Sequence, residues 1–227
     1  MKTPIHHRRF DYQRSQLPNR QLALLETDVV SIDQARQKTG ASIGYPGWCL
    51  IYHLLLSHLD RNRTEIIVET GTNWGCSTIV LAQALIDSGC EGRVITFEIE
   101  PDNALKAQHN LSSAGVEGRV ELHIGDSIRL LPKVLESIND DIRVAFLDAS
   151  HLCKDVEREF EALLPKLSGD ALVIFDNTYR IADDGEDPRV NGFLQLLKKR
   201  HGGNLINLEF VSWFTPGLAI WQRTPNL

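Results

Sequence analysis

Between residues 65 and 176 the hydrophobic pattern alternates between two periods. Short β-branched runs are separated by segments with one apolar face at helical spacing. EIIVET (65–70), RVITFE (93–98), RVELHIG (119–125), IRVAFLD (142–148) and ALVIFD (171–176) read as strands. Between them CSTIVLAQALIDS (76–88), PDNALKAQHNLSSA (101–114), SIRLLPKVLESI (127–138) and LCKDVEREFEALLPKL (152–167) read as helices. In the last of these Val156, Phe160, Leu163 and Leu167 share a face. Strands joined by helical crossovers must lie parallel, so the pattern predicts an α/β fold with a doubly wound, mostly parallel sheet. A polar loop (177–192) and a helix (193–201) follow. LINLEFVSW and GLAIWQR then close the chain as two strands meeting at Thr215, Pro216 and Gly217. That link is too short for a parallel crossover, so the last two of seven strands form an antiparallel hairpin.

Upstream, Ser31 and Gln34 have capping-box spacing ahead of a helix that Gly40 can stop, and PGWCLIYHLLLSHL (46–59) reads as a buried helix. The predicted organisation is an arm with a helical extension (1–40) and one domain (41–227). The chain has 227 residues, 42% of them apolar and 24% charged, enough for a single core and far from the composition of a disordered chain. No apolar run reaches the roughly 18–20 residues that span a bilayer, and the first residues lack a secretory signal's apolar core. The expected setting is cytoplasmic, without a membrane partner. Net charge is −6, with a basic excess confined to residues 1–20, which argues against a nucleic-acid binder. Cys49, Cys76, Cys90 and Cys153 show neither CxxC nor zinc spacing and are expected to be reduced.

In such sheets ligands bind at the carboxyl ends of the strands, so the β-to-α turns carry the chemistry. VETGTNWGCST runs from the first strand straight into a helix, and Gly71 and Gly75 permit tight passage and close approach of a ligand. A dinucleotide fingerprint would need glycines where Asn73 and Cys76 stand. Glu69 adds negative charge where a pyrophosphate would sit and suits a cationic ligand. The second strand ends in Glu98, which can accept hydrogen bonds from two ribose hydroxyls. Asp126, at the third turn, can reach an adenine amino group and cap the next helix as well.

These stretches resemble the class I S-adenosylmethionine-dependent methyltransferases, with ETGTNWGCS as cofactor motif and TFEIEPDNA as second motif, over about residues 41–223. The resemblance implies a Rossmann-like sheet. It also implies that Glu69, Gly71, Asn73 and Ser77 surround the methionine moiety, that Gly75 belongs to the same cofactor-binding turn, that Glu98 binds the ribose, and that Asp126 and Ser127 border the adenine. Ser42, in SIG, is similar to a segment that closes over the cofactor.

The fourth strand ends in FLDASH and the fifth in IFDNTY. Neighbouring strands would bring Asp148 to Asp176 and Asn177, an all-oxygen partial shell suited to Mg²⁺ or another hard divalent cation. Acids at strand ends also serve as loop caps or cofactor contacts. His151 is placed to take a proton from a nucleophilic hydroxyl. These turns resemble the metal-dependent O-methyltransferases of the catechol and caffeoyl-CoA type and the related sugar O-methyltransferases. By that resemblance Asp148, Asp176 and Asn177 hold Mg²⁺. Catechol-type enzymes have lysine where this chain has His151, which points toward sugar or polyol hydroxyls.

The expected activity is methyl transfer from S-adenosylmethionine to a small molecule with adjacent hydroxyls, and the resemblance adds a possible homodimer. A metal-free methyltransferase, a silent cofactor-binding scaffold and a nicotinamide dehydrogenase remain open as alternatives, the last disfavoured by the missing glycines.

Overall fold

A computed structural model describes residues 19–26, 37–38, 47–178, 187–208 and 217–224. Its helices are α1 (Arg20–Glu26), α2 (Gly47–His58), α3 (Cys76–Ser88), α4 (Pro101–Ala114), α5 (Ser127–Glu136), α6 (Cys153–Leu163) and α7 (Arg189–Arg200). Its strands are β1 (Thr64–Thr70), β2 (Glu91–Glu98), β3 (Val120–Ile124), β4 (Ile142–Leu147), β5 (Leu167–Asp176), β6 (Asn204–Leu208) and β7 (Leu218–Gln222). They form one seven-stranded sheet in the order β3-β2-β1-β4-β5-β7-β6. Strands β1 to β5 pair in parallel, and β7 lies antiparallel between β5 and β6. The doubly wound sheet and its antiparallel closing pair are as the sequence predicts.

Strand alternation feeds two cores, one on each face of the sheet. Ile66 and Val68 point into a cluster with Phe160, Phe175, Phe193 and Trp221 under α5, α6 and α7. Ile67, between them, points the other way, into a cluster with Trp48, Ile51, Ile79 and Leu85 from α2 and α3. Leu22 of α1 joins that second cluster, so part of the N-terminal extension packs on the domain. All four cysteines are free thiols.

Two boundaries differ from expectation. The helix expected to run to Leu167 ends at Leu163; Leu164–Lys166 form a 3₁₀ turn and Leu167 already opens β5. Pro165 cannot continue an α-helix, and the Arg223 guanidinium donates to the Leu164 and Leu167 carbonyls, tying the segment to the sheet. Helix α7 starts at Arg189, earlier than expected, because the Asp187 carboxylate accepts from the Arg189 N–H at 2.8 Å and from the Cys153 N–H at 2.7 Å. The Ser31–Gln34 cap, Gly40, Ser42 and the remainder of the expected 205–213 strand beyond Leu208 lie outside the described residues.

Candidate active site

The carboxyl ends of β1 to β5 open onto a cavity of about 620 Å³. Every parallel strand contributes to its wall: Gly71, Asn73 and Ser77 after β1, Glu98 and Ile99 after β2, Asp126 and Ser127 after β3, Asp148 to His151 after β4, and Asn177 after β5.

The first turn is built around glycine, for a reason beyond ligand access. Gly71 has φ +86°, and a Cβ there would stand 2.2 Å from the Asp148 carbonyl oxygen. The missing side chain lets the β1 and β4 turns touch, and the Asp148 N–H donates to the Thr70 carbonyl at 3.0 Å. Asn73, at φ +49°, turns its N–H onto Glu98 Oε2 at 2.6 Å, and the Glu100 N–H holds the other oxygen at 2.9 Å. Two backbone donors thus aim the Glu98 carboxylate at the cavity it lines. Glu69 is fully buried and is not among the lining residues; its Oε2 accepts from the hydroxyls of Thr78 (2.5 Å) and Thr96 (2.6 Å). Burial raises its pKa against those bonds. Gly75 does not line the cavity either; it opens α3 at φ +85°, with Ala107 of α4 at 3.5 Å from a Cβ placed there.

At the third turn Asp126 caps α5, accepting from the Ile128 N–H at 3.0 Å, while still lining the cavity. Ser127 donates its hydroxyl to Glu159 Oε1 at 2.6 Å.

The fourth and fifth turns bring Asp148, His151, Asp176 and Asn177 together. Asp148 and Asp176 are neighbours, each following one of the paired residues Leu147 and Phe175 of β4 and β5. Burial pushes Asp148 up to about 8, with the Glu69 and Glu159 charges adding to it. Burial also raises Asp176 well above the ordinary carboxylate range, with the Asp148 charge adding to it. His151 Nε2 lies 2.6 Å from Asn177 Nδ2 and 3.3 Å from Asp148 Oδ1. Burial lowers the His151 pKa, the neighbouring Asp176 opposing it, so the neutral imidazole is favoured near pH 7. With Nδ2 of Asn177 turned to the imidazole, its Oδ1 is left for another partner. Asp176 Oδ1 is buried without a hydrogen-bond partner. The oxygens of Asp148, Asp176 and Asn177 therefore fit a hard divalent cation, whose charge would relieve both raised carboxyls. Among the described residues no three His, Cys, Asp or Glu side chains form a ready-made cage; the third oxygen donor here is an amide.

Of the residues expected at the site, Gly71, Asn73, Ser77, Glu98, Asp126, Ser127, Asp148, His151 and Asn177 line one cavity. Asp176 lies behind Asp148, Glu69 and Gly75 stand back from the wall, and Ser42 is outside the described residues. Sequence reasoning missed Ile99, Asn103, Ser150 and Asp155 on the wall and Glu159 behind it. Glu159 had a readable signal: it sits on the apolar stripe of α6, three residues after Val156 and four before Leu163, yet it carries a carboxyl.

The comparisons with known proteins agree with this geometry. A family model described as a methyltransferase domain matches residues 68–178. Catechol O-methyltransferase of Niastella koreensis is 33% identical over 131 residues, covering 56% of this chain and 57% of that protein. Catechol O-methyltransferase of Mycobacterium tuberculosis is 30% identical over 142 residues, covering 60% and 61%. The chain thus spans about three fifths of the length of the curated relatives it matches. Among solved structures, an O-methyltransferase from Bacillus cereus in complex with S-adenosylhomocysteine superposes with a TM-score of 0.71 at 22% identity, over 88% of this chain and 94% of that one. The O-methyltransferase TomG of Streptomyces achromogenes, in complex with S-adenosylmethionine, gives 0.71 at 24% identity over 94% and 99%. The fold is that of these methyltransferase structures, and the relatives the chain resembles by sequence are O-methyltransferases, catechol O-methyltransferases among them.

Proposed function

We propose that the protein transfers the methyl group of S-adenosylmethionine to a hydroxyl oxygen of a small molecule with adjacent hydroxyls, a sugar, polyol or catechol. The observation that carries this reading is the grouping of His151, Asp148 and Asn177 on the wall of the cavity that Glu98 and Asp126 also line, with Asp176 behind Asp148.

Glu98, held by two backbone donors, accepts from the ribose hydroxyls, and Asp126 and Ser127 border the purine. The His151 imidazole removes the proton of the attacking hydroxyl as the oxygen–carbon bond forms and the carbon–sulfur bond breaks, with S-adenosylhomocysteine leaving. The protein's share of the chemistry is alignment and proton removal. Asp148, Asp176 and Asn177 would hold a Mg²⁺-like cation, which when bound supplies Lewis-acid polarisation of the acceptor hydroxyls. A metal-independent transferase is the second reading, favoured by the raised pKa values of Asp148 and Asp176, whose protonated forms need no cation.

Calorimetric titration of Mg²⁺ into protein saturated with S-adenosylhomocysteine separates the two, beside Asp148→Ala and Asp176→Ala. Heat in the parent that is absent from both variants supports the metal reading, and methyl transfer to a diol or catechol that persists in EDTA supports the second. A protein that binds S-adenosylhomocysteine yet methylates no diol or catechol, with or without Mg²⁺, would count against this acceptor class.

A further inference from the structure

Glu159 lies outside the cavity wall, yet it is 1% exposed and both its oxygens are engaged: Oε1 accepts from Ser127 Oγ at 2.6 Å and Oε2 from Thr70 Oγ1 at 3.0 Å. It bridges α6 to the first residue of α5 and the last of β1. An ionised carboxylate can only accept, and a serine hydroxyl has one hydrogen. The Ser127 hydrogen is therefore committed to Glu159, and only oxygen lone pairs are left to face the cavity that Ser127 lines. We propose that Glu159 is a positioning residue that fixes Ser127 as a hydrogen-bond acceptor and so selects a purine presenting an amino group rather than a carbonyl. This rests on the reading that Ser127 borders the purine of the bound cofactor.

The chemistry is one of polarity matching. Adenine offers the hydrogens of its 6-amino group, whereas hypoxanthine offers an oxygen at the same place. An acceptor-only hydroxyl satisfies the first and repels the second, and unmatched buried polar groups are what give such sites their selectivity. A glutamine at 159 has an amide nitrogen that can donate to Ser127, which returns the serine hydrogen to the cavity and removes the basis for discrimination. Removing a buried charge also spares desolvation, so the glutamine variant is expected to fold.

The test is equilibrium binding at pH 8.5, where Glu159 is ionised, of S-adenosylhomocysteine and its 6-oxo analogue S-inosylhomocysteine. It compares parent, Glu159→Gln, Glu159→Asp and Ser127→Ala. The parent is expected to prefer the adenosyl ligand. Glu159→Gln and Ser127→Ala are each expected to narrow the ratio about tenfold, and combining them to narrow it no further, as for two residues acting through one contact. Glu159→Asp keeps the charge but is a methylene shorter; it is expected to narrow the ratio too, and it serves if the glutamine variant does not fold. A generally loosened fold would weaken both ligands alike and leave the ratio in place. A ratio narrowed by Ser127→Ala but unchanged by the Glu159 variants overturns the role of Glu159 while leaving the purine placement intact. A ratio unchanged in all variants, with S-adenosylhomocysteine still bound, overturns the purine placement and the inference with it.

Discussion

The sheet buries acids at both of its ends, and the two ends treat them differently. At the amino ends of β1, β4 and β5, Glu65 is fully buried, and Arg143 answers it: Nη1 meets Glu65 Oε1 at 2.8 Å while Nη2 meets Asp170 at 2.8 Å. The Asp60 N–H adds a 2.7 Å bond to the same Glu65 oxygen. At the carboxyl ends Glu69, Asp148, Glu159 and Asp176 are buried or nearly so, and among the described residues none has a lysine or arginine in ion-pair contact. Their carboxyls are all pushed up by burial. The first arrangement carries its own cation and holds the fold. The second withholds one, which costs stability in the bare protein and is the arrangement that the proposed binding of a sulfonium or a metal would call for.

That contrast predicts separable damage at the two ends. The largest effect is on turnover: His151→Ala is expected to lower kcat by about 10²–10⁴-fold. The unfolding midpoint should hardly move, because the His151 side chain is 35% exposed at the cavity wall and lies outside both hydrophobic clusters. Steady-state kinetics and thermal unfolding on the same preparation check both halves; a comparable loss of stability would mean that His151 belongs with the structural acids instead.

At the amino end the order reverses. Arg143→Met leaves the Glu65 carboxylate buried without its cation and is expected to cost about 3–5 kcal/mol, read from chemical denaturation. Methyl transfer per folded molecule should stay near the parent value, since this cluster is remote from the cavity. Adding Glu65→Leu should recover most of the loss, because replacing a buried pair by apolar side chains is far cheaper than breaking it. Failure of the double variant to recover would show that Asp170, which is half exposed, depends on Arg143 as strongly as Glu65 does.

How far these two ends were legible in the sequence depended on what set each residue. The strands and α4, whose observed limits Pro101–Ala114 match the expected ones, follow from local pattern, an N-terminal proline and a glycine stop. The D…DN grouping was legible because strand order puts β4 beside β5, a consequence of topology alone. The reason for Gly71 was not legible, since it lies in the Asp148 carbonyl, 77 residues further along the chain. The Arg143–Glu65–Asp170 cluster was missed for the same reason: each residue interrupts a strand pattern singly, and only the parallel register brings the three together.

The smallest predicted effect is a pH dependence, and its sign follows from the direction of the shifts. Glu159 has a folded pKa of about 7, raised by desolvation against its bonds from Ser127 and Thr70, above the value of 4.5 it has when exposed. Between those two values the folded protein binds this proton and the unfolded chain has released it, so stability falls as pH rises. The slope is about 1.4 kcal/mol per pH unit for one such group, levelling off above pH 7. Denaturation of the ligand-free protein at pH 5.5, 6.5 and 7.5 should show the decline, with Glu159→Gln shallower than the parent by no more than one group's contribution. Arg143→Met offers the sharper comparison: it should lower the whole curve without changing the part of the slope that Glu159 supplies. If Glu159→Gln leaves the slope untouched, the carboxylate is better solvated than its burial implies, and the distinction between an end that carries its cation and an end that awaits one loses one of its four acids.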